Sequence, residues 1–455
     1  MENKNNMARR DFLGKGTKIV AASAAALTTL TTVVPSNAAN GGKIKVALVG
    51  TGSRGSGTWG KNLIHPLKDY VEMVGLCDIN PKRLKYAKGY IDTDAPLYPS
   101  GDFDRMIKET KPDYVIVTTP DCFHAHYAIR AMKLGCNAIS EKPLATEAEQ
   151  CQKLLDTEIQ TGKSVTTTFN ARHGASAEEI KRIILSGELG RIISAEYHEY
   201  LDIDHGASYF RRWHGKARFS GSLLVHKASH HFDQMNWWLD AEPEEVHAFG
   251  KVDFYGSNNP FRARNCRSCP FTKKCKFYWD IMKDKRYKEL YVDNEDADGY
   301  LRDGCVWDNE IDTYDSMTVE VKYNNGVILS YSLNAYMPYE GQGIAFNGEN
   351  GRLDVRNFHR QPWDVNNSAE FRYTQSFGKT RTWGVNSGKG EHGGSDMKLK
   401  RLLFVPDEKD PLAKLAGSRA GVMSSLIGIA ARKSIETGER IKIADLVDVP
   451  LNWKW

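Results

Sequence analysis

Lys43-Ile44-Lys45-Val46-Ala47-Leu48-Val49 runs straight into Gly50-Thr51-Gly52-Ser53-Arg54-Gly55. The first part is a short apolar run of strand type. The second is a G-x-G-x-x-G pattern, and the residues after it read as a helix. Between strand and helix this pattern predicts a turn that seats the diphosphate of a dinucleotide. Gly50 permits the tight turn, Gly52 lets the phosphates approach the backbone, and Gly55 lets helix pack on strand. Ser53 and Arg54 lie in the same turn. The next strand, Val71 to Cys77, ends in Asp78. A carboxylate there accepts hydrogen bonds from the adenosine ribose and repels a 2′-phosphate, which favours NAD over NADP. Arg83 nearby keeps NADP open. Pro112 to Thr119, Asn137 to Ser140 and Ser164 to Phe169 read as further strands. Phe123 to Leu134 and Glu147 to Gln160 read as helices. This alternation predicts a doubly wound parallel sheet of the Rossmann type over residues 43–167.

Outward from this core, the chain of 455 residues is 41% hydrophobic, 26% charged and 10% aromatic. That excludes a disordered protein, a collagen-like fibre and a coiled coil. Sixty-two basic residues stand against 57 acidic ones, a net charge of +5. So even a balance gives no sign of nucleic-acid or membrane attraction. Past the first forty residues no window offers the roughly 18 apolar residues of a membrane span. Residues 1–38 read as an export signal, with Arg9-Arg10 before Phe12-Leu13, an apolar stretch from Ile19 to Val34 and small residues at Ser36-Asn37-Ala38. The paired arginines point to the twin-arginine route, and so to a periplasmic or secreted protein. An ordinary secretory signal or a retained anchor are the other readings.

Ligands of a doubly wound sheet bind at the C-terminal ends of its strands. Two such loops carry polar groups: Thr118-Thr119-Pro120-Asp121-Cys122-Phe123-His124 and Ser140-Glu141-Lys142-Pro143. With the glycine turn and in this order, they resemble the glucose-fructose oxidoreductase, inositol dehydrogenase and MocA (Gfo/Idh/MocA) family over residues 43 to about 250. The resemblance implies a cofactor site that includes Gly50, Gly52, Ser53, Arg54, Gly55, Asp78, Thr119, Pro120, His124, Glu141 and Lys142. It also places Lys142 beside the nicotinamide and a sugar hydroxyl, where a lysine of lowered pKa moves protons.

Residues 168–447 read as a second, α+β domain that supplies the sugar side. Ser176 to Gly190 reads as a helix and Arg191 to Leu201 as a strand. Leu223 to Leu239 has helical length and period, which puts His226 and His230 on one face at i and i+4. His230 matches a family histidine, and position 226 is His where many dehydrogenase members carry Asp. An acid–base role is the leading reading for His230 and a weaker one for His226; a metal pair and satisfied helix histidines are the alternatives. Tyr209, Arg212, Trp213 and His214 are candidate sugar contacts, and His392 lies in a Gly-rich loop that returns to the pocket or forms a solvated turn. Ser316 to Tyr323 and Val327 to Tyr336 flank Asn324-Asn325-Gly326, a hairpin signature. With Gln342 to Asn347 and Arg352 to Arg356 they predict a large, mostly antiparallel sheet, and the resemblance implies a homo-oligomer formed through it. Leu412 to Thr437 reads as a helix, and residues 448–455 read as a tail that docks on the first domain.

Cys266, Cys269, Cys275 and Cys305 fall in one polar insertion, residues 256–310. Four clustered thiols suit a structural zinc site. Two disulfides or an iron–sulfur cluster are the other possibilities, and in each case the job is to staple the insertion. The other four cysteines read as small buried hydrophobes.

The resemblance comes closest to exported branches similar to glycoside hydrolase family 109. It implies a retained NAD that oxidises a sugar ring carbon transiently, so that elimination, water addition and reduction cleave a glycoside without net redox change. A net sugar oxidoreductase and a non-catalytic sugar-binding protein are the alternatives. In each the partner is a small carbohydrate or glycoside.

Overall fold

The computed structural model describes residues 42–449. The proposed export signal (1–38) and residues 450–455 of the tail lie outside the described residues. Residue 448 rests on the first domain: its N–H donates to Gln152 Oε1 at 2.8 Å, and its carbonyl accepts from Gln152 Nε2 at 3.3 Å.

Six strands form the first sheet: β1 (Ile44–Val49), β2 (Val71–Asp78), β3 (Leu97–Pro99), β4 (Tyr114–Val117), β5 (Asn137–Ser140) and β6 (Val165–Thr167). Their spatial order is β3-β2-β1-β4-β5-β6, and every pair is parallel. Chain order reverses between β1 and β4, and that switch point is where such a sheet opens a crevice for ligand. Val46, Leu48, Leu76 and Ile116 are fully buried in its core, each contributing roughly 1.5–3 kcal/mol. The crossover helices carry their own start and stop signals. Asn80 caps Pro81–Ile91 by accepting from the Arg83 N–H. Glu147 and Gln150 form a capping box on Ala148–Thr161.

The second sheet has nine strands. They are β7 (Ile192–Asp202), β8 (Pro243–Lys251), β9 (Ser316–Tyr323), β10 (Ile328–Met337), β11 (Glu340–Gly348), β12 (Gly351–Arg360), β13 (Ala369–Gln375), β14 (Thr380–Val385) and β15 (Ile441–Lys442). The order is β14-β13-β12-β11-β7-β10-β9-β8-β15, antiparallel throughout except for β7 with β10. Buried and half-exposed residues alternate along β7, β9 and β10, so one face is covered. Helices Ser229–Leu239 and Ser418–Thr437 pack together in this domain, the latter also against β8. Ser418–Thr437 starts six residues later than its hydrophobic pattern predicts. Among the described residues no helix is long and apolar enough to cross a membrane.

One expected element is broken. Leu223 to Leu239 is not one helix but two, Leu223–His226 and Ser229–Leu239. The His226 carbonyl, which a continuous helix would give to the residue 230 N–H, instead accepts from Lys142 Nζ at 2.8 Å and Ser229 Oγ at 3.1 Å. His226 and His230 therefore do not share one helical face.

The insertion is held by other means than its cysteines. All eight cysteines are free. Among the described residues no three His, Cys, Asp or Glu side chains gather so as to hold a metal ion. The expected zinc, cluster and disulfide arrangements of Cys266, Cys269, Cys275 and Cys305 are thus not assembled. Arg267 clamps Glu295 at 2.6 Å and Asp303 at 3.0 Å instead. Arg211 reaches Cys266 Sγ at 3.1 Å and also donates to the Phe277 carbonyl. Phe277 packs edge-on against Tyr255 and Trp307. Two multidentate guanidinium clamps and an aromatic cluster do the stapling. Of the other cysteines, 77, 136 and 151 are buried as expected, and 122 is half-buried.

Candidate active site

A cleft of ≈ 1850 Å³ is lined by both domains. On the first-domain side lies the glycine turn. Gly50 has φ +88°, and a Cβ there would sit 2.7 Å from the Thr118 backbone. A Cβ on Gly55 would sit 2.0 Å from the Gly50 carbonyl oxygen. Only glycine fits either place. Gly55 itself does not line the cleft: it lets the helical turn Arg54–Lys61 close onto the strand. Gly50, Gly52, Ser53 and Arg54 do line it.

Asp78 stands at the end of β2 as expected. Its Oδ2 accepts from the Thr51 N–H (2.6 Å) and Oγ1 (2.9 Å), and its Oδ1 accepts from the Asn80 N–H (2.8 Å). The carboxylate therefore pins the turn while facing the cleft. Arg83 is held between Asp78 at 3.4 Å and Asp298 at 2.8 Å. Two carboxylates on that guanidinium oppose a 2′-phosphate. A cradle only glycine can form, above a buried acid, fits a dinucleotide of the NAD type. NAD supplies a hydride-accepting ring when bound there.

Three expected cofactor residues are engaged with protein. Arg54 Nε donates to Glu141 Oε1 at 2.6 Å, and Arg54 also pairs with Asp396 at 3.1 Å. Glu141 additionally accepts from Trp59 Nε1 at 2.7 Å. Burial works against the Glu141 charge, but Arg54 outweighs it and holds the carboxyl below its usual range. His124 faces the Pro143 carbonyl with Nδ1 (2.7 Å) and the Thr119 carbonyl with Nε2 (2.8 Å), which clasps the two strand-end loops together. These groups make a rigid frame around Lys142. Thr119 and Pro120 line the cleft beside it.

Lys142 follows β5 and is the centre of the site. Its ammonium donates to the His226 carbonyl, and burial, only partly offset by Asp121 and Glu141, lowers its pKa to about 8. Beside it, Asp121 Oδ2 meets His226 Nδ1 at 2.6 Å. Burial pushes the Asp121 carboxyl well up and the His226 imidazole well down, so both lean to their uncharged forms. With the Asp121 carboxyl protonated, it donates to Nδ1 of the neutral ring. The ring's Nε2 is then a donor; it becomes an acceptor only when the pair has lost one proton, with Asp121 ionised and Nδ1–H donating to it. The sequence shows Asp121 only as a loop residue. Its pairing needs a partner 105 positions away.

The second domain supplies the rest of the wall. The His226 ring lies 4.3 Å from that of His214, 5.2 Å from Tyr209 and 5.8 Å from Trp213. His230 lines the cleft against Phe169, its Nδ1 buried without a hydrogen-bond partner among the described residues. Burial also keeps His214 and His230 well below the usual histidine range, with neighbouring cations adding to the effect. His392 does return to the cleft: its Nδ1 meets Asp396 at 2.6 Å, and Asp396 in turn holds Arg54. Every candidate catalytic and sugar-contacting residue thus borders one space, whereas Cys305 alone of the four cysteines reaches it.

Two further groups on the cleft carry no signal in the sequence. At the far end of the cleft, His205 pairs with Glu340 (3.0 Å), which also holds Arg360 (3.0 Å). The insertion sits on the glycine turn, where Tyr291 Oη accepts from the Ser53 N–H (2.8 Å) and Arg286 donates to the Ser53 carbonyl (3.1 Å). No local pattern marks these contacts.

Comparison with known proteins agrees with this architecture. The model of the oxidoreductase family's NAD-binding Rossmann fold matches residues 44–169, and that of its C-terminal alpha/beta domain matches residues 181–443. YteT of Bacillus subtilis, whose name marks it as a presumptive oxidoreductase, is 34% identical over 88% of this chain and 98% of its own. A glycosyl hydrolase family 109 protein of Akkermansia muciniphila is 32% identical, but over 34% of this chain and 33% of its own. The WlbA dehydrogenase of Bordetella pertussis, solved with NADH and UDP-GlcNAcA, superposes with a TM-score of 0.60 at 19% identity, covering 90% of this chain and 100% of its own. Both domains, in order and nearly full length, place the chain in the Gfo/Idh/MocA oxidoreductase family.

Proposed function

We propose that this protein oxidises a hydroxyl-bearing ring carbon of a carbohydrate, with Lys142 moving the hydroxyl proton. One observation carries the reading. A lysine with its pKa lowered to about 8 by burial is pinned beside the Asp121–His226 pair, in a cleft that also holds the dinucleotide turn. Neutral Lys142 Nζ accepts the hydroxyl proton, and the ammonium so formed is held by the His226 carbonyl. Arg54, Glu141 and His124 keep the lysine's loop in place. Tyr209, Trp213 and His214 supply the aromatic wall that suits a sugar face. The match to YteT along nearly the whole chain supports an oxidoreductase. The test is mass analysis of nucleotide released from denatured protein purified without added cofactor, followed by a sugar and polyol screen for NADH formation. Absence of both nucleotide and NADH formation overturns the reading.

A second reading, redox-neutral glycoside cleavage, is favoured by the number of neutral imidazoles. Elimination needs a further base beside the sugar and an acid for the leaving group. His230 and His214 line the same wall as His226. The partial likeness to a family 109 glycosyl hydrolase supports it. Aglycon release from nitrophenyl glycosides without accumulation of NADH selects this reading; stoichiometric NADH selects the first. The proposal keeps twin-arginine export to the periplasm, checked by fractionating cells with and without Arg9 and Arg10 replaced by lysine.

A further inference from the structure

Several cations that line the cleft have a carboxylate of their own. Arg54 has Glu141 and Asp396, Arg83 has Asp78 and Asp298, Arg360 has Asp202 and Glu340, and Lys227 has Glu199. Arg212 and Arg302 do not. Arg212 donates through Nε to the Ser208 carbonyl at 2.5 Å, and among the described residues nothing bonds its two terminal nitrogens. Its guanidinium lies 5.4 Å from the Tyr209 ring centre. Arg302 comes from the insertion and stands over the rings of Tyr287 (4.9 Å) and Tyr291 (5.1 Å). Both arginines are half-buried, and both line the main cleft and a smaller cavity of ≈ 300 Å³ beside it.

Two guanidinium groups repel one another, and among the described residues no carboxylate pairs with either; burial works against the Arg302 charge, and the surrounding tyrosines, with a hydrogen bond to Tyr300, hold it. Burial and then the nearby Arg302 pull Arg212 down to about 10. Aromatic rings stabilise such cations only modestly. An arrangement of this kind is completed by an anion that accepts from both forks.

We propose that Arg212 and Arg302 form an anion subsite that binds a carboxylate or phosphate in the cleft. Arg212 stands at the sugar end, beside Tyr209. Arg302 stands at the dinucleotide end, over the Tyr291 whose hydroxyl meets the glycine turn. The anion therefore has two sources: the acid group of an anionic sugar such as a uronic acid, or the diphosphate of the dinucleotide. The inference rests on the reading of the cleft as a carbohydrate and dinucleotide site.

Calorimetric titration of the full-length protein with D-glucuronate, D-glucose, NAD+ and adenosine tests it, in the unaltered chain and in Arg302→Gln and Arg212→Gln. A sugar acid as the source makes each variant lose glucuronate affinity by about tenfold or more, and Arg302→Gln leaves glucose affinity unchanged. The diphosphate as the source shifts the same loss to NAD+ and leaves adenosine unchanged. Arg302→Leu keeps the packing on the two tyrosine rings and replaces the Gln variant if that one does not fold. Folded variants of both arginines that bind glucuronate and NAD+ within about twofold of the unaltered protein overturn the proposal, since loss of a charged hydrogen bond costs more than that. Binding needs no turnover. A protein that binds glucuronate but oxidises no sugar keeps this inference and loses only the proposed reaction.

Discussion

Two lysine–histidine–carboxylate groups sit in the wall of the cleft, built from the same residue types. One is Lys142 with His226 and Asp121. The other is Lys227 with His231 and Glu199. Their electrostatics run in opposite directions. Lys142 meets a backbone carbonyl, so burial wins and its pKa falls to about 8. Lys227 meets the Glu199 carboxylate at 3.1 Å; burial works against its charge, but Glu199 outweighs it and raises the pKa. Glu199 in turn is held low, mainly by Lys227. His231 stays neutral, its pKa down to about 3 by burial, with Nδ1 on the Tyr331 hydroxyl at 2.9 Å. A lysine poised to move protons and a lysine locked in an ion pair thus differ by one partner atom.

The sharpest way to break this comparison is to remove each ammonium in turn. Lys142→Met is expected to lower turnover by about 10²–10⁴-fold, with nucleotide still bound. Its melting temperature rises at neutral pH, because the cost of burying a charge is gone. Lys142→Arg does not restore activity, since a guanidinium does not release its proton. Steady-state rates and thermal melts on the same preparations check all three points. Lys227→Met is expected to do the reverse to stability, losing about 3–5 kcal/mol in urea unfolding because Glu199 is left buried and unpaired. Adding Glu199→Gln to that variant recovers most of the loss. A Lys227→Met protein as stable as the unaltered chain contradicts the assignment of the second group as structural.

A finer prediction concerns pH. In the oxidising direction Lys142 acts unprotonated, so kcat/KM rises with pH up to about 8 and levels above it. Where Asp121 is ionised it favours the charged lysine, so over that pH range Asp121→Asn moves the rising limb to lower pH, and turnover falls by about 10–100-fold. The smallest expected effects lie in the insertion. Chelator treatment leaves the melting temperature unchanged, and Cys269→Ser or Cys275→Ser shifts stability within about 0.5 kcal/mol. A large shift from either overturns the view that salt bridges and aromatic packing hold this segment.

Most of the first domain was legible in the sequence because its signals are local. The glycine spacing, the acid ending β2 and the two polar loops after β4 and β5 are consequences of nearest-neighbour geometry, and each stands where the pattern put it. The helix expected over Leu223 to Leu239 was misread for an instructive reason. Its hydrophobic period is intact, but a lysine 84 residues away takes the His226 carbonyl. The cysteine cluster was misread differently. Spacing alone suited a metal, yet Arg211 and Arg267 draw that segment together through partners distant in the chain.

By itself, then, the sequence determined the parallel and antiparallel sheets, the dinucleotide turn and the candidate catalytic and sugar-contacting side chains that border the cleft. Strand periodicity and glycine conformations are short-range properties. Only the tertiary structure decided which of two lysines is free to titrate, which carboxylate pairs with His226, and that Arg212 and Arg302 face one space without a carboxylate. Those outcomes turn on burial and on distances of about 3 Å between residues far apart in the chain, and no local pattern encodes them.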